Sequence, residues 1–249
     1  ETRKTTLQKQ MILTRGESLE RDRLRENERL LRGNDYLVDA MIVPHKVCAD
    51  TIDLLVVVRD VWTFSPSASA SRSGGDDSTS AGFTESNLLG SGQRVATGYF
   101  DDADRSGHFF SYRNPLLPAR VQLNLSYTNA SDGESLSGGL LRPFYQLNSR
   151  WSAGLDVQRE NLLERIEEND QTVNRYRLED NRYDVFVGWS PGVQDSAVSR
   201  WRLGITDEEE LFSDVPGETT SLPEDERRVY PWLSWEYQEN RHLVASNLN

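Results

Sequence analysis

From Val121 to Tyr127 the chain reads Val-Gln-Leu-Asn-Leu-Ser-Tyr, which puts Val121, Leu123, Leu125 and Tyr127 on one side of an extended backbone. Gln122, Asn124 and Ser126 fall on the other side. Side chains alternate across a strand but recur every 3.6 residues or so in a helix, so this order fits only a strand with one apolar and one polar face. Trp151, Ala153, Leu155 and Val157 repeat the pattern, as do Tyr183, Val185, Val187 and Trp189, and then Trp201, Leu203 and Ile205. Gly, Asn, Asp, Ser and Pro clusters interrupt it, and ten strands are expected after Trp62, centred near Ala68, Phe83, Ala96, Phe110, Leu123, Gly138, Leu155, Val185, Leu203 and Leu233.

The first sixty or so residues follow a different rule. Helical stretches are expected over Lys4 to Leu13 and Glu20 to Arg32, with Gly16 as a C-cap and Ser18 as an N-cap between them. Leu24, Leu30 and Leu31 make a narrow apolar stripe on the second, and two β-branched runs, Tyr36 to Val43 and Thr51 to Val58, supply a hairpin for it to cover. Pro44 to Asp50 is the expected connector.

Composition removes several function classes. A net charge of -12 leaves no basic surface for a phosphate backbone, so no nucleic-acid partner is expected. The longest apolar run, Ile52 to Val58, is broken by Asp53 and is far short of the roughly 20 residues of a membrane helix. Membrane strands need only about ten residues, half of them polar, and hide inside a hydrophilic average. One cysteine, Cys48, forbids an internal disulfide and reads as a small buried hydrophobe. With His45, His108 and His242 scattered, no zinc pattern can be assembled, and no cofactor is expected.

Alternation alone suits a soluble β-sandwich as well as a membrane barrel. If the first strand after the helical part runs upward, the lower connectors are Asn87 to Gly92, Asn114 to Ala119, Arg142 to Ser149 and Pro191 to Ser199, which are short and carry one acid, Asp195. The upper connectors are Ser73 to Ser78, Asp101 to Ser106, Asn129 to Glu134, Glu160 to Arg182 and Asp207 to Glu226; the last two are long and acidic. Trp62, Tyr112, Phe144, Tyr145, Trp151, Trp189, Trp201, Trp235 and Tyr237 then fall at lower strand ends, and Tyr99, Phe109, Tyr127 and Tyr183 near upper ones. Short turns on one side, long polar loops on the other and aromatic girdles at both ends favour an outer-membrane barrel.

Asp53-Leu-Leu-Val-Val-Val-Arg-Asp-Val-Trp62, Glu85-Ser-Asn-Leu-Leu-Gly-Ser-Gly-Gln93 and Ser111-Tyr-Arg-Asn-Pro-Leu-Leu117, in that order, resemble the outer-membrane assembly and translocation superfamily that includes BamA, TamA and the two-partner secretion pores. The turn residues that carry the likeness are Asn87, Gly90, Gly92, Asn114 and Pro115. The resemblance spans essentially the whole chain. It implies a mainly β fold, with 1–62 a partial α+β POTRA domain in the periplasm and 63–249 the N-terminal part of a sixteen-stranded antiparallel transmembrane β-barrel. In that family a strand precedes the first helix and six more strands follow the tenth, so the polypeptide is expected to continue at both ends.

The same resemblance implies a bacterial outer-membrane protein, not an enzyme, that inserts or translocates other proteins. Its partners would be outer-membrane lipid and lipopolysaccharide, unfolded or exported client proteins, and periplasmic accessory proteins. Tyr36, Leu37, Val38, Asp39, Ala40, Met41, Ile42 and Val43 would form a sheet edge able to capture an extended client by strand addition. Phe64, Pro66, Ala68 and Ala70 would lie on the first barrel strand, opposite Ser65, Ser67, Ser69 and Ser71, where small side chains and the missing Pro66 amide make a lateral seam. A passive secretion or diffusion pore, and a barrel that anchors an upstream catalytic domain, remain as alternatives.

Other constellations carry less. Asp101-Asp102-Ala-Asp104 and Glu208-Glu-Glu210 lack the Asp, Asn and Gly spacing of a calcium loop and read as solvated tips, so no metal site is assigned. No serine occupies a nucleophile elbow; His108 near Ser106 is the one pair compatible with a lipase-like site, and it reads better as an interfacial residue.

Overall fold

The structure, a computed structural model, describes residues 1–48, 51–168, 171–194, 197–216 and 221–239. Asp170, Asp195 and His242, and Ala49 and Asp50 of the expected connector, lie outside the described residues.

Two helices come first, α1 (Lys4–Gln10) and α2 (Arg21–Arg32), and then two strands, β1 (Leu37–Cys48) and β2 (Thr51–Asp60), paired antiparallel. Leu31, Tyr36, Leu37, Ala40 and Ile42 are buried together, and Leu24 packs against them with Leu54, Val56 and Val58 of β2. Helix α1 stops at Gln10, earlier than its sequence suggests, and the caps differ from expectation. Gly16 has φ +85° in a turn between the helices instead of ending α1, and Glu20, not Ser18, precedes α2. The reason is Asn27, fully buried in α2, whose side-chain oxygen accepts the amides of Ile12 (2.9 Å) and Leu13 (3.4 Å) and so draws that segment out of helix. Strand β1 runs on through Pro44, and Cys48 at its end is exposed, not buried.

The remainder is one antiparallel meander: β3 (Phe64–Ser73), β4 (Asp76–Glu85), β5 (Arg94–Asp101), β6 (Ser106–Asn114), β7 (Gln122–Ala130), β8 (Gly133–Arg142), β9 (Trp151–Glu168), β10 (Gln171–Trp189), a two-residue β11 (Val193–Gln194), β12 (Ala197–Asp214) and β13 (Glu226–Glu239). Each long strand pairs with the next, and β11 only extends the hairpin into β12. Among the described residues β3 and β13 each have a single neighbour, so the sheet is open, and no second sheet packs on it. A β-sandwich is thereby excluded for the described chain.

The connectors depart from the sequence reading. The first long acidic stretch, Glu160 to Arg182, is almost wholly strand, because β9 and β10 pair from Trp151↔Trp189 up to Glu168↔Gln171 with one bulge at Val173, and the second is strand as far as Asp214 in β12. Beyond Val157 this ribbon rises roughly 35 Å, at about 3.3 Å per residue. Both of its faces meet water, so no apolar alternation announced it. The first three upper connections are short, with Gly74 and Gly75 at φ +65° and +106° in a two-residue turn between β3 and β4.

Candidate functional site: the sheet faces, the lower rim and the strand edges

Register sorts the side chains into two faces. One carries a cross-strand row of four tryptophans, Trp151↔Trp189↔Trp201↔Trp235. Ala153, Val187, Leu203 and Leu233 form the next row, and Leu155, Val185, Ile205 and Pro231 the one after. Leu123, Leu125, Tyr127, Phe110, Phe83 and Phe64 carry the same face to the first strand. These side chains are half exposed: Leu203 is 57%, Leu233 66% and Val187 63% open. An uncovered apolar surface running across ten strands far exceeds the few hundred Å² that a water-bathed protein exposes in one patch.

The opposite face is polar. Ser69 and Ser80 hydroxyls meet at 2.8 Å and Ser126 and Ser137 at 2.7 Å. Arg182 pairs with Glu208 (2.8 Å), Arg228 with Glu210 (3.0 Å) and Arg200 with Glu236 (3.0 Å). Asp184 accepts Thr206 Oγ1 at 2.6 Å and Trp232 Nε1 at 2.7 Å. Two aromatics expected in the girdles belong to this polar side instead. Phe109 lies beside Gly98 and Thr128, and Phe144 is buried with the Arg200 and Arg202 guanidinium groups over its ring at 5.3 and 5.5 Å.

Below the sheet, the helical part is tied to three successive connectors. Gly90 C=O accepts the Arg3 amide (2.9 Å) and Thr6 Oγ1 (2.8 Å), and Asn87 donates to Thr2 Oγ1 (2.8 Å). Thr2 in turn donates twice to the Asp60 carboxylate, at 2.8 and 2.7 Å. Arg120 reaches the carbonyls of Gln10 (3.2 Å) and Met11 (2.6 Å), the unpaired acceptors at the end of α1, where a cation is favoured. Glu26 of α2 accepts the Leu147 amide at 3.0 Å.

This rim holds the motif residues and concentrates backbone strain. Leu89, Ala119 and Arg120 have φ of +50°, +58° and +64°, and they are the only described non-glycine residues with positive φ. Such conformations cost about 1–3 kcal/mol each and persist where surrounding contacts over-determine them. A β-carbon on Gly90 would collide with the Glu1 carbonyl. Asn87 accepts the Gly92 amide (2.7 Å), and Asn114, just before Pro115, accepts that of Leu116 (3.1 Å). Thr2, Thr6, Gln10, Asp60 and Arg120 were not singled out in the sequence. The buried polar face of a short helix, Thr6 and Gln10, was the available signal.

Tyr36 lies outside the strand edge expected over Tyr36 to Val43. It sits in the turn before β1, where its buried hydroxyl accepts a hydrogen bond from Gln10, and burial pushes its pKa up to about 12. Along β1 itself, Val38 is the extra residue of one bulge and His45 of another, and Pro44 has no amide. The Ala40 amide donates to Asp39 (2.8 Å) and the Ile42 amide to Glu28 of α2 (2.8 Å). Asp39, Met41 and Val43 alternate with these positions and face β2 with their backbone groups.

In β3 all ten residues are exposed, Phe64, Pro66, Ala68 and Ala70 among them, and Phe64 rests on Phe83 at 5.7 Å between centroids. The acidic clusters are occupied locally. The Asp102 carboxyl accepts the amides of Arg105 and Asp104, which hold its pKa below the usual range, and Glu208 and Glu210 are paired with arginines. His108 packs against Tyr99 with ring centroids 5.1 Å apart and the rings tilted at 53°.

No family model matches the chain and no curated protein matches it. Among solved structures it is similar to one described as BamA from Haemophilus ducreyi lacking POTRA domains 1–3, with 16% identity and a TM-score of 0.45. The match covers 88% of this chain and 54% of that one, so the chain spans about half the length of that structure.

Proposed function

We propose that the chain is part of a bacterial outer-membrane β-barrel protein, not an enzyme, that inserts or translocates other proteins, with residues 1–62 a POTRA-like periplasmic part docked under the rim. The observation that carries this reading is the division of one uncovered sheet into an apolar face edged by the row Trp151, Trp189, Trp201 and Trp235 and a polar face of Ser, Thr and ion-paired Arg and Glu. Lipid covers the first face and water the second. Tryptophan rings suit the headgroup level, and Arg142, 3.6 Å over the Trp151 ring, places a cation there to meet the phospholipid phosphates of the periplasmic leaflet.

Two features support work on client proteins over passive conduction. The periplasmic part is anchored to three rim connectors, so a chain held at β1 would be presented at a fixed distance from the barrel wall. Strand β3, exposed along its whole length and built from alternating Ser and Ala, offers a weakly packed edge for lateral opening. The test is site-specific photocrosslinking in cells from Val38 and Met41, both about half exposed, together with a disulfide joining Ala68 to the strand that closes the barrel. Adducts with nascent outer-membrane chains, and loss of function in the locked barrel, are expected. Absence of adducts with full activity of the locked protein and a steady open conductance would make it a passive pore.

A further inference from the structure

We infer that the edge of β1 is held shut at rest by a carboxylate latch, made of Glu28, Asp39 and Arg32, which an incoming client strand must displace; this rests on the capture reading given above. In an antiparallel pair, backbone amides point alternately toward the partner strand and away from it. Ala40↔Val58 and Ile42↔Val56 are pairs whose β1 amides point away, because each of those amides is bonded to a carboxylate. The next residue of that parity is Pro44, which has no donor. From Ala40 to Pro44 the outward side of the strand therefore has no amide left to offer.

The two carboxylates are not independent. Arg32 lies one turn after Glu28 on α2 and bonds it at 3.0 Å, and the same guanidinium approaches Asp39 at 3.9 Å. Glu28 Oε1 takes the Ile42 amide while Oε2 takes Arg32, so the cation fixes the acceptor in place. Asp39 Oδ1 both caps Ala40 and faces Arg32. Each carboxylate oxygen occupies the position that a carbonyl of an added strand would take. An edge left open invites pairing with any extended chain, and charge, proline and bulges are the means by which such edges are blocked. All three occur in β1: bulges at Val38 and His45, Pro44, and the clamped carboxylates between them.

The occupant this arrangement fits is an extended backbone, whose carbonyls exchange one for one with the two carboxylates. Release costs little charge separation, because Glu28 and Asp39 keep Arg32 as their partner after they let go. Strand addition at this edge is thus competitive, selective for a segment that supplies two correctly spaced acceptors.

The test uses the full chain in lipid nanodiscs and reads two quantities: amide exchange over residues 38–43, and anisotropy of a labelled, uncharged Val/Thr-alternating peptide. Glu28→Ala should speed exchange at Ile42 about tenfold, the loss expected for one charge-assisted hydrogen bond, and tighten peptide binding by a similar factor. Glu28→Gln keeps an acceptor at the same place but loses the charge that Arg32 clamps, so it should fall between wild type and Glu28→Ala, which separates uncapping from damage to α2. Wild-type exchange in Glu28→Ala would overturn the latch. Faster exchange with no peptide bound by any variant would leave the latch standing and overturn capture at this edge.

Discussion

A β-carbon on Gly92 would lie 2.9 Å from the hydroxyl oxygen of Tyr36, so the turn between β4 and β5 and the turn before β1 meet with no room for a side chain. Gly92 also has φ +73° and faces Leu116 and Thr6. Gly92→Ala should therefore combine backbone strain with steric conflict and destabilise the junction by about 2 kcal/mol or more. Gly16→Ala, at φ +85° but with nothing within 4 Å of the new carbon, incurs the backbone part alone. Amide exchange at Arg3, whose partner is the Gly90 carbonyl, should rise sharply in the first variant and stay unchanged in the second.

Alkaline pH offers an independent reading of the same contact. The Tyr36 pKa, raised by burial from about 10 to about 12, means that the folded protein binds this proton more tightly than the unfolded chain. Its stabilising contribution is complete below about pH 10 and is lost as pH rises through about 12. Tyr36→Phe should flatten that part of the stability curve, and tyrosinate absorbance should show one tyrosine titrating near pH 12 in the wild type that the variant lacks.

Asn27 is fully buried within α2 and accepts two backbone amides from the segment after α1. Asn27→Ala leaves the Ile12 and Leu13 donors without that acceptor, at a cost of about 1–3 kcal/mol. Proteolysis between Met11 and Ser18 should accelerate, while the pairing of β5 through β10 stays intact. Equal proteolysis of both proteins would show that Asn27 does not organise this connector.

The two faces of the sheet predict opposite responses to the same substitution. Ile205→Arg, two rows above the tryptophans, puts a charge into the apolar band and should cost roughly 2 kcal/mol in a bilayer. Asn124→Arg, on the exposed polar face of β7, should change stability little. Urea titration of the membrane-inserted protein distinguishes them, and equal sensitivity at both positions would contradict a lipid-facing apolar side.

Much of the fold was legible because it rests on nearest neighbours in the chain. The centres at Leu123, Leu155, Val185 and Leu203 fall on β7, β9, β10 and β12 since alternation records which face of a strand each side chain meets. Where both faces meet water the signal vanishes. That is why the ribbon from Gln158 to Glu168 and the upper half of β12 resembled acidic loops until their cross-strand partners were known. Local capping logic failed at Gly16 and Ser18 for a related reason: a competing acceptor, Asn27, arrives from the next helix.

The glycines and asparagines at 87, 90, 92 and 114 stood out in the sequence, yet their purpose there could only be read as tight turning. Folding shows in addition that Gly90 and Gly92 give clearance to Glu1 and Tyr36, and that Arg120 adopts a left-handed backbone with its guanidinium on the end of α1. Likewise the β1 edge looked open, because Glu28, from another element, supplies its cap.

By itself, then, the sequence determined the alternating strands and which of their side chains are apolar, since the two-residue period is a property of the extended backbone. Only the tertiary structure decided how the helical part seats against the rim and which strand edges are free, because hydrogen bonds between segments far apart in the chain depend on the packing that brings their donors and acceptors together.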